Sequence, residues 1–190
     1  MTDDADDETL MMRYATGDAQ AFAILYGRHR AGLYRFCLRM VSDRGLAEEI
    51  FQDTWTNLIQ ARARYRVEAR FTTFLYQIAR NRMIDLQRKD RRIAFSLDDE
   101  TGEAVAATLA APGHEAPENL LDRKRSAERI VAALEALPPA QREAFLLHEE
   151  GELTLEEIAR LTGVGRETVK SRVRYALGRL RDALREVAHV

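Results

Sequence analysis

Cysteine is nearly absent from this chain. Cys37 stands alone among 190 residues, which excludes an internal disulfide and suits a reducing compartment. It lies between Phe36 and Leu38, so a buried, inert thiol is expected rather than a reactive one. Glycine and proline are also scarce, 10 and 4, and aromatic residues make up only 7%. That scarcity argues against a turn-rich sandwich or barrel. No run approaches the ~18 consecutive apolar residues a membrane-spanning helix needs. The acidic start also lacks the positive-then-apolar pattern of a secretory leader. A soluble, cytoplasmic protein with no direct membrane insertion is expected.

Side chains suited to catalysis are missing too. His29, His114, His148 and His189 are scattered with no cysteine at ligand spacing, so no zinc site is expected. The stretch "HEEGE" at 148–152 lacks the second histidine of a metalloprotease helix. Glu48-Glu49 and Glu156-Glu157 fall on predicted exposed helical faces, where solvation or partner binding fits better than acid–base work. Gly163-Val-Gly165 follows a helix rather than a strand and lacks the further glycines of a phosphate cradle. No catalytic residue, metal or cofactor is expected, and the chain is not read as an enzyme.

What is present is charge, at 32% of residues against 46% hydrophobic. The net charge of -2 conceals strong segregation. Five acids crowd residues 3–8, then ten basic residues face three acidic ones over 62–92. From Ile93 to Asp122 seven acids occur with no Lys or Arg, and over 160–185 eight basic residues face two acids. Two basic blocks flanking an acidic connector suit a protein that touches nucleic acid at two places.

Apolar spacing of three and four residues predicts helices over Ala19–Met40, Leu46–Ala61 and Phe71–Arg91, with a loop at Tyr65–Arg70. Phe95–Pro117 has no sustained period and reads as a tether. Asp122–Leu137 is again amphipathic. Pro138-Pro139 stops it, and Pro139 is placed to open the next helix, Ala140–Glu150. Thr154-Leu-Glu-Glu157 matches a capping box, so another helix begins at Leu155. The reading is all-α, with two small helical domains, 1–94 and 122–190, joined by a flexible acidic linker, 95–121.

The segment "LTLEEIARLTGVGRETVKSRV", residues 153–173, has the spacing of a helix-turn-helix. Ala159 is small where two helices must approach, Gly163 can take the left-handed conformation that ends the first helix, and Val164 plugs the corner. Val169, Val173, Leu177, Leu180 and Leu184 are the expected buried stripe of the second helix. Arg166, Lys170, Ser171 and Arg174 face outward near its start, where a recognition helix meets the major groove. In "ARYRVEARFTTFLYQIARNRMIDLQRKDRR", residues 63–92, arginines alternate with aromatics, a composition suited to single-stranded DNA. Phe71 and Phe74 are expected in the core, and Tyr65, in the loop, is the better stacking candidate.

"LAEEIFQDTWTNLI", "FTTFLYQIARNRMIDLQRKDRR" and "LTLEEIARLTGVGRETVKSRV", in that order, resemble the core-binding, −10 and −35 segments of bacterial RNA polymerase sigma factors of the extracytoplasmic-function type. The resemblance implies a C-terminal helix-turn-helix reading the −35 element through Arg166, Lys170, Ser171, Arg174 and Tyr175. It also implies a −10 single-strand surface made by Tyr65 in the loop 64–70, Asn81, Arg88, Lys89 and Arg92. Glu48, Glu49, Gln52 and Asp53 would dock on the clamp coiled coil of the polymerase largest subunit. The family pattern before this Gln usually begins Asp-Ala-Glu-Asp, where this chain has Leu46 and Glu49 for the two Asp. Phe74 stands for a common Trp, and Tyr175 for a position often basic. The implied partners are core RNA polymerase, through clamp and flap, promoter DNA and an anti-sigma factor. A rival reading is a stand-alone helix-turn-helix regulator of duplex operators, and a third is a helical adaptor.

Overall fold

Every regular element of the computed structural model is a helix among the described residues, 5–94 and 127–185, less the side chains of 89–94 and 184. The expected linker, 95–121, lies outside them. Helix α1 (Asp7–Ala15) was hidden from the periodicity by its acidic start. Asp6 caps it by accepting from the Thr9 amide at 2.7 Å. Asp7 and Glu8 sit in its first turn, where the helix dipole favours negative charge. Leu10, Met11 and Tyr14 are its buried side. Helix α2 (Ala19–Val41) starts on an Asp18 cap and ends at Ser42 in the left-handed conformation, φ 59°. Helix α3 (Arg44–Ala61) begins two residues before the expected Leu46, because Asp43 accepts from the Leu46 amide at 2.6 Å.

A short 3-10 turn, Arg62–Arg64, leads into the irregular loop 65–70 and then helix α4 (Phe71–Ala94). The orphan N–H of Phe71 donates to Glu8 Oε1 at 2.6 Å. A side chain on α1 thus supplies the cap that α4's own sequence does not. The aromatic rings of Phe22, Tyr26, Phe51 and Trp55 lock α2 to α3 in tilted and edge-on pairs 5.0–6.4 Å apart, geometries that the ring quadrupole favours.

The C-terminal half holds helical residues 127–135 (α5), then α6 (Pro139–Glu149), α7 (Leu155–Thr162) and α8 (Arg166–Arg185). Pro139 occupies the first turn of α6 as its missing N–H permits. Around Thr154 both hydrogen bonds of the capping box form, and Gly163 closes α7 at φ 71°. The buried stripe of α8 is Val169, Val173, Ala176 and Leu180. Leu177, expected in that stripe, is 41% exposed. At 100° per residue it stands well to one side of the line through 169, 173, 176 and 180, and Ala176 takes its place. The side chain of Leu184 lies outside the described residues.

The two halves share one core. Leu146, Leu147, Leu153 and Ile158 join the same buried cluster as Phe36, Leu75 and Tyr76, with α2 against α6 and α4 against α7. No helix among the described residues is long and apolar enough to cross a membrane.

Cys37 lies in that core, fully buried, and burial pushes its thiol up to about 12. Since the thiolate is the nucleophile, iodoacetamide at pH 8 is expected to leave the native protein unmodified while alkylating it fully in guanidinium, as read by intact mass. Rapid native labelling would mean that α2 opens readily.

Candidate nucleic-acid interface

Two basic surfaces form, on different helices. On α8, four and seven residues apart, lie positions that share one face. Lys170 and Arg174 are exposed, Arg181 two further turns along is exposed as well, and Ser171 is half-buried beside them. A groove of about 410 Å³ runs along this face, lined by His148, Leu155, Lys170, Val173, Arg174, Leu177, Gly178 and Arg181. Tyr175 is 56% exposed, with the Arg174 guanidinium 5.2 Å from its ring centre. Arg166, at the helix start, is ion-paired with Glu156 and, at 3.0 Å, with Glu167. Lys170 Nζ also reaches Glu167, at 3.6 Å. Pairs this exposed contribute at most about 1 kcal/mol, so phosphates or base edges can replace those carboxylates at small cost.

The second surface surrounds the loop 65–70. Ala61, Arg64, Tyr65, Arg66, Glu68, Ala69, Phe74 and Gln77 line a cavity of about 320 Å³, at the small end of the ~300–1,000 Å³ range of small-molecule sites. Leading from it along α4, Gln77, Asn81 and Arg88 form an exposed stripe at spacings of four and seven. Tyr65 departs from expectation. Its ring is only 5% exposed and packs 5.4 Å from Phe74, so it offers a wall rather than an open face for stacking. Burial, followed by the nearby Glu8, Asp7 and Asp6 carboxylates, pushes its hydroxyl up to about 12. That hydroxyl is buried without a hydrogen-bond partner among the described residues. Phe74, expected in the core, is only partly buried and lines the cavity, whereas Phe71 is fully buried as expected. The Lys89 and Arg92 side chains lie outside the described residues.

A third surface is acidic. Glu48, Glu49 and Gln52 are exposed on α3, with Asp53 beside them. Arg82 of α4 donates from Nε to Asp53 at 2.6 Å and from Nη2 to Glu49 at 2.9 Å, and Arg44 pairs with Glu48. Glu156 is exposed as expected, but Glu157 is 5% exposed. Besides closing its capping box, Glu157 accepts from Thr73 Oγ1 of α4 at 3.0 Å. Burial pushes its carboxyl up. The Thr154 amide and hydroxyl, Thr73 and the charge of Arg70 outweigh burial, so it settles below the ordinary carboxylate range.

Comparison with known proteins decides what these surfaces belong to. Residues 25–93 match the family model of sigma-70 region 2, and residues 127–180 match that of sigma-70 region 4. The chain is 32% identical to the RNA polymerase sigma factor CarQ of Myxococcus xanthus, over 93% of this chain and 97% of that one. It is 31% identical to the ECF RNA polymerase sigma factor RpoE of Cereibacter sphaeroides, over 96% and 98%.

The chain belongs to the extracytoplasmic-function sigma factors.

As a sigma factor it directs RNA polymerase to promoters and initiates transcription. A stand-alone operator-binding regulator is not favoured, because residues 25–93, most of α2 to α4, match region 2 of the sigma factors. The fold agrees with the solved complex of the sigma factor RpoE with the anti-sigma factor NepR from Bartonella quintana. The TM-score is 0.71 at 26% identity, covering 86% of this chain and 96% of that one. CnrH, solved with the cytosolic domain of CnrY, shares the fold with a TM-score of 0.64 at 20% identity, covering 95% and 97%.

In these terms the loop cavity and the stripe on α4 lie in region 2, and the basic face of α8 lies in region 4. Sequence reasoning missed Gln77, which lines the cavity and begins the stripe. Its signal was present, four residues before Asn81 on the polar side of α4. Arg64, Arg66 and Glu68 line the cavity unannounced, because a loop has no period from which orientation can be read.

Proposed function

We propose that this sigma factor reads a promoter at two separate places, with α8 in the −35 major groove and the α4 stripe and loop cavity on the melted −10 strand. On α8, Lys170, Arg174 and Ser171 contact base edges and phosphates, Tyr175 packs along the backbone, and Arg166 exchanges its carboxylates for phosphate. On region 2, one base leaves the stack and enters the loop cavity. Unstacking costs a few kcal/mol, returned by the aromatic wall and hydrogen bonds within. The unpartnered Tyr65 hydroxyl offers one such bond, in place of the stacking platform expected from sequence. Asn81 and Arg88, with Lys89 and Arg92 further on, follow the strand. Capture of the open strand drives melting with no hydrolysis, so the protein itself catalyses nothing and needs no cofactor.

Glu48, Glu49, Gln52 and Asp53 dock on the clamp coiled coil of core polymerase, and region 4 meets the flap. The domains divide at 1–94 and 122–190, with 95–121 as tether. An anti-sigma factor is a further partner, by likeness to the RpoE that is found with NepR. The site of action is the cytoplasm, where polymerase and promoter are.

The observation that carries this reading is the conjunction of a base-sized cavity continuous with an exposed polar stripe on one helix and a basic outward face on another. The purified chain, added to bacterial core polymerase on a pool of promoter fragments, is expected to yield specific initiated transcripts. Asn81→Ala is expected to abolish them while the protein still co-elutes with core. No transcripts and no co-elution, together with tight duplex binding by the chain alone, would overturn the proposal.

A further inference from the structure

Helix α1 lies outside residues 25–93, which match region 2, yet it holds both ends of the loop that shapes the base cavity. At the entry, the Arg62 guanidinium stands over the Tyr14 ring, 5.4 Å from its centre, and Nη1 lies 3.5 Å from the Tyr14 hydroxyl. That is within the ~6 Å reach of a cation–π contact. At the exit, Glu8 Oε1 accepts from the Phe71 amide at 2.6 Å. An amide in the first turn of a helix has no partner in its own helix, so this bond fixes where α4 begins.

Between the two ends the loop's own bonds are short-range. The Glu68 amide donates to the Arg66 carbonyl at 2.9 Å, and Arg66 Nη1 donates to the Tyr65 carbonyl at 2.9 Å. Arg66, Val67 and Glu68 are exposed. Helix α1, in contrast, is firmly seated. Leu10 and Met11 are fully buried. Asp7 accepts from Arg28 Nη1 at 2.8 Å and pairs with His29 Nε2 at 2.6 Å, both on α2. Burial pushes the Asp7 carboxyl up, but the bonds from His29 and Arg28 outweigh burial and keep the group below the ordinary carboxylate range.

We propose that Glu8 is a positioning residue for the −10 reader: by capping α4 from α1 it fixes the exit of the loop and, with Tyr14 at the entry, the shape of the base cavity. The inference rests on the base-capture reading above. Phe71 stands two residues after Ala69 and three before Phe74, and Arg62 stands between Ala61 and Arg64. All four of those neighbours line the cavity, so a shift at either anchor moves its walls directly. A loop released at one end samples more conformations, and ordering it again costs entropy. The apparent affinity for a captured base then falls by the fraction of chains whose cavity is formed. A strand whose base is not captured makes no use of the cavity and loses nothing, so discrimination between bases falls with affinity.

Charge alone predicts the opposite sign. A carboxylate near a nucleic-acid strand repels phosphates, and its removal would tighten every strand alike. Three substitutions separate the two effects. Glu8→Ala loses both charge and acceptor, Glu8→Gln loses the charge and keeps an acceptor at the same reach, and Glu8→Asp keeps the charge and falls one methylene short. Glu8→Asp also guards the test against misfolding, because it is a small change on a half-buried side chain.

The test uses holoenzyme made with core polymerase and fluorescein-labelled single strands of the −10 sequence found in the promoter pool, one for each base at the captured position. Anisotropy is expected to show the matched strand bound about fivefold more weakly by Glu8→Ala and Glu8→Asp, the scale of a lost helix cap at tenfold per ~1.4 kcal/mol. The mismatched strands are expected to be unchanged, and Glu8→Gln to stay within about twofold of the wild type throughout. Affinity for a −35 duplex is expected to be equal in all four proteins. Trypsin judges the anchor without DNA: cleavage of the free full chain after Arg64 and Arg66 is expected to be at least about threefold faster in Glu8→Ala and Glu8→Asp, and at the wild-type rate in Glu8→Gln.

Tighter binding of all four strands by Glu8→Ala and Glu8→Gln together, as loss of charge would give, would overturn the inference. So would a parallel loss of −35 affinity, which marks general destabilisation, or trypsin rates that do not differ. If the wild type does not discriminate among the four strands, the base-capture reading falls and takes this inference with it. If the wild type discriminates and the three variants match it, the inference alone falls.

Discussion

Trp55→Ala is expected to destabilise the chain by about 3–5 kcal/mol, the cost of removing a large aromatic from a core that relaxes only in part. Against a total stability of about 5–15 kcal/mol, that brings region 2 close to unfolding at ordinary temperature. Trp55 is 5% exposed. Its ring lies 5.8 Å from Phe22 at 90°, 5.0 Å from Tyr26 and 6.4 Å from Phe51, so one truncation strips contacts from both α2 and α3. The indole Nε1 is buried with no partner among the described residues, so its loss orphans no polar group among them. For the same reason Trp55→Phe, which keeps much of the volume and removes the unsatisfied donor, is expected to cost far less. Urea unfolding followed by circular dichroism at 222 nm measures both, since the change in midpoint times the slope gives the difference. A shift of Trp55→Ala below about 1 kcal/mol would mean that the α2–α3 aromatic cluster does not hold region 2 together.

The second large effect concerns the −35 face. Lys170→Ala/Arg174→Ala removes two exposed cations one turn apart on α8, and each contact with a base edge or phosphate contributes on the order of 1–3 kcal/mol. Holoenzyme affinity for a −35-containing duplex is expected to fall at least about thirtyfold in the double variant. The salt dependence separates the roles. A residue that holds a phosphate lowers the slope of log affinity against log salt by about one and weakens every sequence alike. A residue that reads a base weakens the preferred sequence alone. Both side chains are exposed on α8, and Arg174 lies 5.2 Å from the Tyr175 ring, so the fold is expected to survive, as thermal unfolding would verify. Unchanged duplex affinity would place the −35 contacts on another face of region 4.

Some of this was legible in the residues themselves, and the legible part is local. The capping box of Thr154 and Glu157, the stop at Gly163 and the start at Pro139 each depend on hydrogen bonds spanning three or four residues, which the neighbouring side chains dictate wherever the helix ends up. The outward placement of Lys170 and Arg174 follows from helical period alone. Helix α1 escaped notice because its stripe of Leu10, Met11 and Tyr14 is short and set among acids, and its stability comes from packing on α2 and from Glu8 reaching the Phe71 amide.

What only the tertiary structure decided lies between residues far apart in the chain. No spacing rule predicts that Tyr65 turns its ring onto Phe74, that Ala176 displaces Leu177 from the core side of α8, or that Glu157 caps its own helix and accepts from Thr73 as well. The pairing of Arg35 with Glu150 spans more than a hundred residues. Whether such a pair forms depends on the entropy of closing that loop set against the whole apolar surface buried with it. That balance is a sum over both halves, and no single segment of the sequence carries it.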